Sequence, residues 1–244
     1  MAGNWKMYKT PAETTAFLEK FRPMVAQSKH CEIVICPPFT NLAAAVAAAH
    51  GTAIAIGAQN IAWAKEGAFT GEVAGPMIRA AGATHVIVGH SERRQYFGET
   101  DETVLKRTQA ALEFGLTPIV CVGERLEERE AGRTEDVLVS QFQKGIAGLT
   151  ADQFTRIVIA YEPVWAIGTG KTATPEIAAD AHRTIRAQVR ARFGGPAGDS
   201  IRILYGGSVK PDNVKSLMAQ PEIDGSLVGG ASLEPGSFAS IVNF

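Results

Sequence analysis

Short apolar segments recur along the whole chain, and most of them do not alternate with polar residues. Continuous apolar runs of this length are typical of strands that are buried on both faces of a parallel sheet. The pattern predicts eight strands, at residues 3–7, 32–36, 53–56, 85–89, 118–122, 157–161, 201–205 and 226–229.

Segments with helical periodicity lie between these runs, at 12–27, 103–114, 134–146 and 175–193, with an alanine-rich helix at 43–49. Asp101 and Thr174 are candidate N-caps, and Pro175 suits a first helical position. Strand and helix alternate about eight times, which predicts an α/β fold of the (β/α)₈ barrel type, as a single domain over residues 1–244. An open doubly wound sheet is the alternative. Eight strand–helix units with no second region of different composition favour a closed barrel.

The charge balance excludes a general affinity for nucleic acid or anionic membranes. Lys and Arg number 24 and Asp and Glu number 25, for a net charge of −1. No apolar run approaches the roughly 20 residues that a membrane span needs, and no signal segment opens the chain. Three cysteines, an odd number in a long chain, favour free thiols in a reducing compartment. We therefore expect a cytoplasmic protein.

Three chemically versatile residues end predicted strands, and a parallel barrel gathers such strand ends on one face. Lys6 lies at the end of the first strand, while His90 follows the fourth strand and Glu162 follows the sixth. A helix N-terminus after His90 favours the neutral imidazole, and apolar walls would raise the pKa of Glu162, as suits a general base. Each residue has a structural explanation when it is considered alone: His90 as a core histidine, Glu162 as a salt-bridged loop carboxylate and Lys6 as a surface lysine. Their joint placement favours a catalytic cleft.

Paired glycines end the last two strands, at Gly206-Gly207-Ser208 and Gly229-Gly230. Glycine lets backbone N–H groups approach an anion, and this part of a barrel often holds phosphate. The alternative is that these glycines only form the tight turns between strands and helices. Residues 163–171 combine a proline, apolar residues and glycines, which predicts a lid that excludes water.

Six stretches, in order along the chain, carry a family resemblance. They are Gly-Asn-Trp-Lys-Met (3–7), Gly-Ala-Gln-Asn (57–60), Val-Gly-His-Ser-Glu-Arg-Arg (88–94), Ala-Tyr-Glu-Pro-Val-Trp-Ala-Ile-Gly-Thr-Gly-Lys (160–171), Tyr-Gly-Gly-Ser-Val (205–209) and Leu-Val-Gly-Gly-Ala-Ser-Leu (227–233). Together they resemble the triosephosphate isomerase family. The resemblance implies a TIM barrel that interconverts dihydroxyacetone phosphate and D-glyceraldehyde 3-phosphate through an enediolate, with no metal and no organic cofactor.

The resemblance also implies roles for individual residues. Glu162 would be the base, and His90 the neutral electrophile that polarises the carbonyl. Asn4 and Lys6 would stabilise negative charge on the substrate, and Glu92 would be a buried carboxylate partner of the lysine. The substrate phosphate would be held around Gly168, Ser208, Gly229 and Gly230.

A homodimer is implied too, with residues 59–75 as the interlocking loop and Thr70 reaching Asn4 and Glu92 of the partner subunit. Neither nucleic acid nor membrane is an expected partner. Three positions depart from the family pattern. Tyr8 stands where Asn is frequent, and Ser226 where an apolar residue is usual. Only Met1 and Ala2 precede Gly3, so we expect either a shortened first strand or a chain that, as given, begins late.

Two other functions stay open at this point. The first is a barrel that binds a sugar phosphate without converting it, because a shortened first strand misplaces Lys6. A coupled assay separates this protein from an isomerase. The second is a Schiff-base aldolase that uses Lys6 or Lys171, which borohydride would trap as a covalent adduct. We expect no adduct, because nothing suggests a desolvated lysine with a depressed pKa.

Overall fold

The computed structural model, which describes residues 1–168 and 171–244, is a closed barrel of parallel strands in the order β1 to β8. This confirms the predicted (β/α)₈ barrel over the open doubly wound sheet. The strands are β1 (Ala2–Asn4), β2 (Ile33–Cys36), β3 (Ile54–Ala58), β4 (His85–Val88), β5 (Thr117–Val122), β6 (Val158–Tyr161), β7 (Ile203–Tyr205) and β8 (Gly225–Val228).

The first strand differs from the prediction, since it ends at Asn4 rather than at residue 7. The Trp5 N–H still donates to the Cys36 carbonyl oxygen at 3.1 Å, but Lys6 then takes a φ of +52°, which turns the chain away from the sheet. The strand is also short, with three residues. It nevertheless closes the barrel, because Gly3 pairs with Ile35 on β2 and with Val228 on β8.

Helices cover the outside of the barrel. They are α1 (Pro11–Val25), α2 (Leu42–Ala49), α3 (Gly75–Ala80), α4 (Ser91–Tyr96), α5 (Asp101–Glu113), α6 (Leu126–Glu130), α7 (Thr134–Gly145), α8 (Ala151–Phe154), α9 (Pro175–Phe193), α10 (Gly195–Ser200), α11 (Val214–Met218) and α12 (Pro235–Val242). Short 3₁₀ helices occupy Phe39–Asn41, Val164–Ala166 and Gly230–Leu233. Among the residues described, no helix combines the length and the apolar character needed to cross a membrane.

Local capping explains where several of these helices begin. In α9 the Thr174 side chain accepts from the N–H of Ile177 and Pro175 is the first helical residue, as predicted. The prediction of Asp101 as an N-cap is wrong. Thr100 is the cap of α5, because its hydroxyl accepts from the N–H of Thr103 while extended backbone places it just outside the helix.

Two hydrophobic layers stabilise the barrel. The inner layer fills the barrel itself with side chains such as Val34, Ile87, Ile119, Leu204 and Leu227. Cys121 is part of this layer as a small apolar side chain, and all three cysteines are unbridged. The outer layer lies between strands and helices and contains a row of aromatic rings in contact, namely Trp5, Phe17, Phe21 and Phe238. Side chains thus fill the barrel below its mouth, and chemistry is confined to the ends of the strands.

His182 on α9 is buried, and this makes stability depend on pH. Its Nδ1–H donates to the Glu222 carbonyl oxygen at 3.1 Å, and burial lowers its pKa from 6.5 to about 3. An unfolded chain takes up a proton here below about pH 6.5, whereas the folded chain stays neutral. The free energy of unfolding should therefore fall between pH 6.5 and pH 3, by about 1.4 kcal/mol per pH unit from this group.

We expect His182→Gln to remove that contribution. Urea unfolding at fixed protein concentration, at pH 6.5 and pH 5, should show a loss of stability about 2 kcal/mol smaller than in the wild type. The exposed His50 provides the control, since His50→Gln should leave the slope unchanged. An unchanged slope in His182→Gln would contradict the assignment.

Candidate active site

A cavity of about 550 Å³ opens at the carboxyl ends of the strands. Its wall includes eight of the nine site residues expected from the sequence, namely Asn4, Lys6, His90, Glu162, Gly168, Ser208, Gly229 and Gly230. The ninth, Glu92, lies just outside this wall and contacts Lys6. Residues from β1, β4, β6, β7 and β8 therefore meet at one mouth, although they lie far apart in the sequence.

Glu162 follows β6 and is almost fully buried, with 2% of its surface exposed. One carboxylate oxygen, Oε1, lies 2.8 Å from Nε2 of His90. The other, Oε2, accepts a hydrogen bond of 2.9 Å from the backbone N–H of Ser91. Sequence reasoning missed this role of Ser91, because a backbone donor leaves no trace in the residue type. Both oxygens of the buried carboxylate are thus bound.

The pKa of Glu162 moves opposite to the prediction. Burial alone raises it, as expected, but the His90 contact, the Ser91 N–H and the nearby Lys6 ammonium together hold the pKa of this carboxyl below its ordinary value. The prediction of a raised pKa considered only the apolar strand around Glu162. It was wrong for this arrangement because hydrogen-bond donors from another loop stabilise the ionised form.

His90 is the N-cap of α4, and its ring is held from both sides. Nδ1 accepts a hydrogen bond from the N–H of Glu92 at 3.2 Å. The proton of a neutral ring must then reside on Nε2, which donates to Glu162. Burial lowers the pKa of His90, and the carboxylate of Glu162 more than offsets this, so the net direction is upward. The donor at Nδ1 nevertheless favours the neutral ring, because an imidazolium would present N–H to N–H there.

Lys6 is fixed at both its backbone and its side chain. Its Nζ lies 2.6 Å from Oε1 of Glu92, and its N–H donates to Oδ1 of Asn4 at 3.0 Å. A left-handed φ costs a non-glycine residue about 1–2 kcal/mol, so these contacts offset strain. Glu92 is the expected carboxylate partner, but with its side chain 38% exposed it is not the buried group that the resemblance implies. It stands at the rim, where the subunit is open to solvent.

The two glycine pairs differ in their environment. A Cβ on Gly206 would lie 2.9 Å from Cγ of Glu162, and one on Gly207 would overlap the Tyr205 hydroxyl. The first pair therefore makes room for neighbouring side chains. Gly230 has open space around it, and a Cβ on Gly229 would make only ordinary contact with the end of the Lys6 side chain. The second pair leaves backbone accessible from the cavity, as phosphate binding requires.

The segment after Glu162 is anchored by a buried carboxylate that the sequence analysis did not single out. Glu124 is fully buried, and its Oε1 accepts from the Trp165 indole N–H at 2.8 Å and from the Tyr161 hydroxyl at 3.1 Å. The Arg129 guanidinium lies over the Trp165 ring, 4.6 Å from its centre. The only signal for Glu124 in the sequence was its position two residues after β5. Of the predicted lid, residues 169 and 170 lie outside the described part of the structure.

In residues 1–168 and 171–244, no three His, Cys, Asp or Glu side chains form a group that could hold a metal ion. The ionisable groups at the mouth instead pair with one another, as Glu162 does with His90 and Lys6 with Glu92. This arrangement suits the movement of protons and the binding of an anion.

Comparisons with known proteins agree with this geometry. The family model described as triosephosphate isomerase matches residues 1–244. A triosephosphate isomerase of Solibacter usitatus strain Ellin6076 is 80% identical over 244 residues, which are 100% of this chain and 98% of the relative. One of Citrifermentans bemidjiense is 57% identical, over 100% of this chain and 97% of the relative.

A solved structure has the same fold. The crystal structure of triosephosphate isomerase from Bartonella henselae superposes with a TM-score of 0.90 at 40% sequence identity, over 100% of this chain and 97% of that one. Because the family model and full-length relatives agree over the whole chain, and the barrel mouth carries the residues that the family motifs predict, the chain belongs to the triosephosphate isomerase family.

Proposed function

We propose that the cavity at the barrel mouth interconverts dihydroxyacetone phosphate and D-glyceraldehyde 3-phosphate with Glu162 as the base and His90 as the electrophile, on one domain of residues 1–244. The isomerase activity itself follows from membership of the family. The observation that carries the residue roles is the buried Glu162 carboxylate, 2.8 Å from the Nε2 of His90. A carboxylate and a ring N–H side by side can act together on a carbon and its neighbouring oxygen.

The proton transfers balance with these two groups alone. Glu162 removes a proton from the carbon beside the carbonyl and becomes a neutral acid, while the electron pair of the C–H bond forms the enediolate. The Nε2–H of His90 donates to the developing oxyanion and moves a proton between the two oxygens. Glu162 then returns its proton to the adjacent carbon. Both residues end in their starting forms, and the substrate has changed from ketose to aldose or back.

Substrate binding requires Glu162 to exchange partners. In the structure its oxygens are occupied by His90 and the Ser91 N–H. When the carboxylate turns towards the substrate it loses both donors, while it stays buried. The remaining effect of burial is to raise its pKa, which makes it a stronger base at the moment of reaction. The free Nε2–H of His90 then faces the substrate oxygen.

The phosphate is the anchor at the other end of the cavity. Backbone N–H groups around Gly168, Ser208, Gly229 and Gly230 would bind its oxygens. Lys6 and Asn4 would stabilise negative charge between the phosphate and the enediolate. An enediolate next to a phosphate ester eliminates phosphate readily in water, so the segment 163–171 would close over it and exclude solvent.

We further propose a homodimer formed by the loop 59–75. Met7 is 93% exposed and Phe97 67%, and these residues line a groove of about 520 Å³ that reaches Asn4 and Glu92. Trp63 and Phe69, in the loop itself, are also partly exposed. Clustered exposed apolar residues are typical of a covered surface. The loop of one subunit, with Thr70 at its tip, would fill the groove of the other and bury Glu92.

The substrate and the cysteines support a cytoplasmic location. Cys31, Cys36 and Cys121 are unbridged, as in a reducing compartment. Triose phosphates are charged metabolites of the cell interior. We propose neither a metal nor an organic cofactor, and neither nucleic acid nor membrane as a partner.

Glu162→Asp should retract the carboxylate by about 1 Å, which takes it out of reach of the proton to be removed. We expect kcat to fall by a factor of about 10² with little change in KM. A coupled assay with D-glyceraldehyde 3-phosphate measures this. The exposed Glu113 provides a matched control, since Glu113→Asp should leave the kinetics unchanged. Near-normal turnover in Glu162→Asp would remove this residue from the mechanism. A folded wild-type protein without turnover would instead favour the sugar-phosphate binder.

Lys6→Ala should weaken binding of phosphate-bearing ligands by about 10–100-fold and lower kcat as well, since a charge-assisted hydrogen bond contributes about 1.5–3 kcal/mol. Kinetics and calorimetry with a phosphate-bearing inhibitor measure the two effects. Lys20→Ala, at an exposed lysine on α1, is the matched control. Unchanged kinetics in Lys6→Ala would make Lys6 a surface residue.

Thr70→Arg should weaken the dimer at least tenfold, because a charge at the centre of the interface would be left desolvated. Analytical ultracentrifugation over a concentration series measures the dissociation constant. Thr155→Arg places the same charge at an exposed threonine outside the loop and should leave it unchanged. A wild-type chain that stays monomeric at high concentration would contradict the dimer.

A further inference from the structure

Lys6 has an unusual backbone for a residue with a long side chain. Among the non-glycine residues in the described part of the chain, only Lys6 and Lys9 have positive φ, at +52° and +72°. Both backbone polar groups of Lys6 are bound by side chains rather than by a sheet or helix. Its N–H donates to Asn4 Oδ1 at 3.0 Å, and its carbonyl accepts from Gln59 Nε2 at 2.8 Å.

The amide nitrogen of Gln59 holds two carbonyl groups at once. It donates to the carbonyl oxygen of Lys6 and to that of Cys36, each at 2.8 Å. Cys36 ends β2, and its carbonyl also accepts from the N–H of Trp5 at 3.1 Å. Gln59 itself follows β3, so one side chain ties together the ends of three adjacent strands. The amide orientation is fixed as well, because an oxygen in place of Nε2 would face two carbonyl oxygens.

We propose that Gln59 is a positioning residue that keeps the Lys6 backbone left-handed and so directs the ammonium group into the cavity. This inference rests on the proposed function of Lys6. The physical reason is that an L-residue with a long side chain relaxes to negative φ when nothing opposes it. Such a rotation changes the direction of the Cα–Cβ bond, and the ammonium group then leaves both Glu92 and the substrate.

A purely structural role for Gln59 is the competing explanation, and the chain contains a matched control. The Gln141 side chain likewise makes two hydrogen bonds to backbone, both with Gly123. It accepts from the Gly123 N–H at 2.7 Å and donates to the Gly123 carbonyl oxygen at 3.1 Å. Gln59 and Gln141 are both half-buried. Gln141 makes no contact with Lys6, so the same substitution there should affect stability without acting through the lysine.

The test is a double-mutant cycle with Lys6→Ala, read out as the Kd of 2-phosphoglycolate and as kcat and KM. Gln59→Met, which keeps the length of the side chain and loses its donors, should weaken binding about tenfold and lower kcat. In the Lys6→Ala background the same change should alter binding by less than about twofold, because the lysine it positions is gone. Gln141→Met should have the same effect in both backgrounds. Effects of Gln59→Met that simply add to those of Lys6→Ala would overturn the proposal.

A second variant and a crystal structure test the same proposal independently of the Met substitution. Gln59→Asn retains a polar amide but is too short to bridge the two carbonyls, and it replaces the Met variant if that fails to fold. A crystal structure of either variant should show Lys6 with negative φ, and a left-handed Lys6 there would overturn the proposal even if binding is weaker. This readout needs no turnover, so it separates failure of this inference from failure of the proposed isomerase mechanism.

Discussion

Closure of the parallel sheet is the constraint on which the cavity depends. The last pairing, of Gly3 with Val228, joins the first strand to the eighth. Because every strand points the same way, the residues that follow β1, β4 and β6 arrive at one end of the barrel. Lys6, His90 and Glu162 come from three such positions, and no single segment could hold them together. The site therefore exists only when the whole barrel is formed.

The buried carboxylate of Glu162, the proposed base, shows how folding and chemistry oppose each other at this mouth. Ionised Glu162 in a nearly closed pocket would be costly, and the His90 ring with the Ser91 N–H offsets that cost. These contacts stabilise the folded subunit, but they also lower the basicity of the carboxylate. In the proposed mechanism the substrate replaces these contacts, so part of its binding energy is used to free the carboxylate. The low pKa of the resting state and a strong base in the complex are then two states of one group.

The sequence was most informative where a property depends on local pattern. Apolar runs located the eight strands, and strand ends located Glu162 and His90, because both need only the chain order and the geometry of a parallel barrel. Predictions failed where a residue's properties depend on a partner that is distant in the sequence. The pKa of Glu162 depends on donors from the loop after β4, which are distant from it in the sequence. The double bridge of Gln59 was invisible for the same reason, since its partners are backbone carbonyls of other strands.

The position of Glu162, the proposed base, also depends on the absence of side chains at two neighbouring glycines. Gly123 follows β5 and faces Glu162, and a Cβ there would overlap the Glu162 carbonyl oxygen. Gly206 follows β7 on the other side, where a Cβ would press on Cγ of Glu162 at 2.9 Å. The strand that carries the base is thus flanked by two residues whose extra atom would displace it. Backbone hydrogen bonds from Glu162 to Val122 and from Gly206 to Tyr161, both 2.7 Å, hold the three strand ends at this distance. Close approach of neighbouring backbones therefore fixes the main chain of Glu162, while in the proposed mechanism its carboxylate moves between His90 and a substrate.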